Sequence, residues 1–99
     1  MEQMPAQEFE DDDQGYLAWV AEHPDGLVVN CLRNRSGDYL VLHRATCKQI
    51  TTPKRSNWTS HDYMKVCAAD ETDLARWVAR GNFSRTLDDP EARCGNCKP

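Results

Sequence analysis

Four residues in two short segments constrain this chain more than its hydrophobic pattern does. His43-Arg44-Ala45-Thr46-Cys47 sets an imidazole and a thiol four residues apart, and Cys94-Gly95-Asn96-Cys97 sets two thiols three apart with a glycine between them. On a helical turn, positions i and i+4 share a face, so His43 and Cys47 can reach one point. A Cys-x2-Cys knuckle likewise aims both sulfurs at one point. Together His43, Cys47, Cys94 and Cys97 form a full tetrahedral donor set for structural Zn2+. The alternative reading makes His43 and Cys47 packing residues and the C-terminal pair a disulfide or a free tail.

Such a staple matters at this length. Ninety-nine residues with 39% apolar side chains and a mean hydropathy of -0.77 allow one small core, and chains of this size are marginal without added constraint. Free energy of metal binding at a structural site becomes free energy of folding. Five cysteines is an odd number. No apolar run long enough for a signal peptide or a membrane span follows Met1, so a cytoplasmic chain is expected, where Cys/His clusters serve metals and disulfides are rare. The surplus thiols, Cys31 and Cys67, then read as small buried hydrophobes, although either could replace one of the four ligands.

The chain is expected to be α+β: a small antiparallel sheet with one or two short covering helices, stapled by zinc. Leu27–Arg33 and Tyr39–His43 read as strands joined by the Gly/Asn/Asp-rich loop 34–38, and Tyr63–Cys67 as a third strand by alternation. Gly15–His23 reads as a short helix with Tyr16, Leu17 and Val20 on one side, Trp19 at its packed edge, and Pro24 and Gly26 to end it. A second helix is expected over 71–80, capped by Asp70 or Thr72, striped by Leu74, Trp77 and Val78, and stopped at Gly81. The expected core is Leu17, Val29, Leu40, Leu42, Val66, Leu74, Trp77 and Val78. Residues 83–93 read as irregular chain that returns Cys94 and Cys97 to His43 and Cys47.

Net charge is -4, but the average hides a division. Residues 1–26 hold eight acids and no Lys or Arg, whereas residues 32–66 hold seven Lys/Arg and two acids. Residues 1–13 are expected to be a disordered acidic arm, because five acids lie within Glu8–Asp13 and repel one another; residues 14–99 form the domain. The basic middle supplies candidate nucleic-acid contacts at Arg33, Arg35, Arg44, Lys48, Lys54 and Arg55, with Trp58 as a flat face for a base. The arm would compete with nucleic acid for that middle. The bland alternative is a solvated loop with Trp58 folded onto the core.

Tyr39-Leu-Val-Leu-His43-Arg-Ala-Thr-Cys47, closing with Cys94-Gly-Asn-Cys97-Lys-Pro, resembles the small zinc module of Ada-type DNA-repair proteins and modules at the C-termini of some bacterial nucleases. The likeness covers about a dozen of the 99 residues. The Ada-type site uses four cysteines, one of them a methyl acceptor, where this chain offers His43, and its intervening segment is shorter. The resemblance therefore implies a zinc-stapled fold and a nucleic-acid setting such as restriction, repair or nuclease accessory work, and not methyl transfer.

No catalytic constellation accompanies the cysteines. His23 sits beside Pro24 and His61 in a polar stretch, and a metal closed by four protein ligands leaves no position for water. A non-enzymatic binding module is expected, without membrane or small-molecule partners. The alternative to nucleic acid is a protein partner met by the acidic arm or by the segment around Trp58.

Overall fold

The computed structural model describes residues 6–51, 59 and 62–99. Runs rich in β-branched and large apolar residues form strands where expected: β2 (Leu27–Leu32), β4 (Leu40–Arg44) and β5 (Tyr63–Ala68). A further strand, β1 (Ala6–Phe9), pairs antiparallel with β5, giving a four-stranded antiparallel sheet in the order β1-β5-β2-β4. Val29 stands opposite Leu42 on one side and Val66 on the other. Two-residue strands β3 (Ser36–Gly37) and β6 (Asn82–Phe83) form a small parallel pair beside it.

The pleat sends alternate residues to opposite faces, and the core divides accordingly. On one face Val29, Cys31, Leu40, Leu42, Met64 and Val66 pack with Leu74 and Val78 of helix α2 (Glu71–Ala79), and with Leu87 and Ala92. On the other, Val28 and Cys67 pack with Tyr16, Trp19 and Val20 of helix α1 (Asp13–Glu22), with Ile50, and with Cys47 and Cys94. Leu40 and Leu42 thus lie under α2, while Val41 packs with the α1 cluster. Of the expected core, Leu17 and Trp77 are only partly buried and flank the clusters. Trp19 is buried, and the inner stripe of α1 runs through Tyr16, Trp19 and Val20.

Both helices are capped by acids. The Asp12 side chain accepts from Gly15 N, and that of Asp70 from Asp73 N, each satisfying an otherwise orphaned donor. Gly26 follows α1 because its turn runs against the indole: a Cβ there would sit 2.5 Å from Trp19 Cη2.

The acidic stretch departs from expectation. Residues 6–13 were expected in a disordered arm, yet β1 is an edge strand and Asp13 begins α1. Self-repulsion does not win, because each acid from Glu8 to Asp13 finds a partner distant in sequence or a backbone donor. Arg33 forks onto Asp11 at 2.7 and 3.2 Å. Arg35 meets Glu8 at 2.9 Å and Glu10 at 3.2 Å, and Trp77 Nε1 donates to Glu8 at 2.7 Å. Asp13 accepts from both the amide and the hydroxyl of Thr59, whose oxygen accepts in turn from Asp12 N. Residues 1–5 of the expected arm lie outside the described residues. Among the described residues no helix is long and apolar enough to cross a membrane.

Candidate metal centre

His43 reaches the site through the pleat of β4: Leu42 points to the α2 side, so His43 points to the α1 side, where it is 5% exposed. The chain then turns rather than entering a helix. Cys47 N donates to Arg44 O at 2.9 Å, and Cys47 has extended dihedrals just ahead of a 3₁₀ turn over Lys48–Ile50. The four-residue spacing therefore works as a strand end plus a turn, not as the helical i, i+4 pair. The β-branched and large residues of 39–43 favour the strand.

Cys94 and Cys97 arrive from the far side. After a second 3₁₀ turn, Pro90–Ala92, Arg93 forms a parallel bridge with Leu42, and Cys94 N donates to Leu42 O at 2.9 Å. Lys98 N closes the knuckle on Cys94 O at 3.0 Å. One donor atom from each of His43, Cys47, Cys94 and Cys97 then lies within 4.8 Å of the others. Cys47 Sγ and Cys94 Sγ are 3.9 Å apart. Two sulfurs bound at about 2.3 Å to one tetrahedral ion stand roughly 3.8 Å apart, so this pair already has the spacing of ligands and the group of four could hold a metal ion.

The electrostatics suit a cation at this point. Burial, then the nearby Lys65, holds the His43 imidazole down to about 4 and so neutral, as a metal ligand must be. Its Nδ1 is buried with no hydrogen-bond partner among the described residues, a costly state unless its lone pair is used. Burial and the neighbouring thiols push Cys47 up to about 12. For Cys94 burial opposes ionisation, but the amides of Cys97 and Asn96 and the adjacent thiols outweigh it and lower the thiol. Arg44 N donates to Cys97 Sγ at 3.2 Å. A cation would offset the cost of gathering three thiolates here.

Comparison of the chain with protein-family models, curated proteins and solved structures returned no match. The site must be read from its own chemistry.

The surplus cysteines stay out of it. Cys31 lies in the α2-side core with its thiol pushed up to about 12, mainly by burial. Cys67 is fully buried under α1, and its thiol is raised for the same reason. Among the described residues, the candidate nucleic-acid contacts are not gathered into one surface. Arg33 and Arg35 are paired with Asp11, Glu8 and Glu10. Arg44 donates to Cys97 O at 2.8 Å and Lys98 O at 2.9 Å, clamping the knuckle. Lys48 is exposed on the 3₁₀ turn, and Lys54, Arg55 and Trp58 lie outside the described residues.

The clamp is what the sequence reading missed. The charge of Arg44 suggests a phosphate contact, but its place between two candidate ligands puts it next to the His/Cys group. Arg93 adds a second anchor, donating to Pro99 O at 2.6 Å and to Glu71 at 2.5 Å.

Proposed function

We propose that this protein is a zinc-stabilised module that acts by binding rather than catalysis, with nucleic acid as its partner. The observation that carries the metal part is the convergence of four donor atoms from two distant segments within 4.8 Å. Three soft thiolates and one imidazole in tetrahedral reach favour zinc over the hard cations. Four protein ligands close the site, which suits a structural ion and leaves no place for an activated water. Three thiols kept reduced fit a cytoplasmic setting. When bound, zinc supplies a fixed junction between the β4 turn and the 94–97 knuckle; Arg44 then orients that knuckle through its main-chain oxygens. Metal analysis of the purified chain tests this: one zinc per chain is expected, and a protein that folds fully without metal overturns it.

The nucleic-acid part rests on the basic span 32–66, on Trp58 and on the resemblance to Ada-type modules. A salt-dependent affinity for oligonucleotides tests it, since phosphate contacts make log K fall linearly with log salt. One observation favours the other reading, a protein-interaction module: Arg33 and Arg35 already have carboxylate partners. Absence of binding to single- or double-stranded DNA or RNA at low salt would favour it.

A further inference from the structure

We infer that Arg33, Arg35 and Trp77 form a recognition track for the phosphates of single-stranded nucleic acid, occupied in the free protein by the carboxylates of Glu8, Glu10 and Asp11. The inference rests on the nucleic-acid reading above. Its basis is the chemistry of the contacts. Arg33 presents a two-pronged fork to Asp11, with Nη2 at 2.7 Å and Nη1 at 3.2 Å, a geometry that serves phosphate as well as carboxylate. Arg35 Nη2 bridges Glu8 and Glu10 at 2.9 and 3.2 Å, and its guanidinium lies 5.9 Å from the centroid of the Trp77 ring. The indole N–H adds a third donor, to Glu8 Oε2 at 2.7 Å.

The acids are laid out as a polyanion would be. Glu8 lies within β1 and Glu10 just beyond it, and residues two apart on an extended chain repeat every 6–7 Å or so on one side. A flexible single strand can adapt its phosphate spacing to such a track. The site is also within reach: side-chain exposure is 27% for Arg33 and 37% for Arg35, against 39%, 38% and 69% for Glu8, Glu10 and Asp11. The carboxylates can therefore swing aside while β1 keeps its pairing with β5. Arg33 keeps its main-chain bonds to Tyr63 O and Thr59 O, which hold its head in place when Asp11 leaves.

The experiment compares the wild-type chain with a Glu8→Gln, Glu10→Gln, Asp11→Asn variant. Both are titrated with fluorescein-labelled oligothymidylate by anisotropy at several salt concentrations. The amides preserve shape and an acceptor for Trp77, and Glu10→Gln alone, which spares Glu8 and Asp11, serves if the triple variant fails to fold. The variant is expected to bind about tenfold or more tightly at low salt. Its salt slope should steepen by about 1.4, the contribution of two phosphates on a single strand. Adding Arg33→Gln and Arg35→Gln should abolish both gains. Wild-type binding that the amide variant does not tighten overturns the inference and leaves the nucleic-acid reading intact. No binding by either chain overturns both. Equal affinity of the variant for poly-glutamate would make the track one for acidic polypeptides and overturn the assignment to nucleic acid.

Discussion

Replacing Cys97 by serine separates a metal ligand from an ordinary surface thiol. Cys97 is half-buried, so few apolar contacts are lost with its sulfur, and Arg44 N, now 3.2 Å from Sγ, can donate to the new hydroxyl. As a plain side chain its substitution should cost under about 1 kcal/mol. As a ligand the cost is larger. Structural zinc contributes roughly 10–16 kcal/mol to folding, and one of four ligands carries about 2.5–4 of that. For a domain of this size such a loss lowers the melting temperature by about 10–32 °C. The assay pairs thermal unfolding with zinc content on the same samples. Cys31→Ser is the control: it places a hydroxyl in the α2-side core and should cost about 1–3 kcal/mol with zinc retained. A Cys97→Ser protein that keeps one equivalent of zinc and melts within about 5 °C of wild type refutes the assignment.

Three further outcomes follow from described contacts. Arg44→Met removes the clamp on Cys97 O and Lys98 O and should weaken zinc affinity about 10–100-fold, measured by competition with a chelating dye. Thr59→Val removes the hydroxyl that donates to Asp13 and accepts from Asp12 N; a loss of about 2–3 kcal/mol is expected in urea denaturation. Burial holds the Lys65 ammonium down to about 8 against its usual 10.5, so folding penalises its charged form. Stability from this group is present above pH 10.5 and lost as the pH falls through 8. Lys65→Met should flatten that rise and stabilise the protein at pH 7 by about 1–3 kcal/mol, read from urea midpoints at pH 7 and 10.

Local pattern made much of this molecule legible. The β-branched and large apolar run of 27–33, the alternation in 63–67, the Leu74 and Val78 stripe and the cap at Asp70 each depend on neighbours within a few residues. The His/Cys group was legible because ligand types at short spacing are rare without chemical use. The acidic stretch was misjudged for the opposite reason. A run of acids repels itself only while its partners are unknown, and those partners, Arg33, Arg35, Thr59 and Trp77, stand 22 to 69 residues away. The same pairing hid from composition that two candidate phosphate contacts were already satisfied. Arg44 carries the same lesson, since its charge suggested a phosphate and its position sets it on the knuckle.

The parallel bridge between Leu42 and Arg93 has a bearing on biosynthesis. Edge strands offer unpaired amides and carbonyls to any passing strand. One edge of this sheet, β1, carries the charged Glu8 and runs into further acids, and the other, β4, is covered over Leu42 to Arg44 by the segment that brings Cys94 and Cys97. Arg44 and Cys97 are 53 residues apart. At 5–20 residues per second, β4 leaves the ribosome roughly 3–11 s before its cover. During that interval the nascent chain exposes a strand that can template aggregation, and under the proposed zinc reading a metal-starved chain does so again. Cellular zinc supply would then set the soluble yield of this protein as well as its stability.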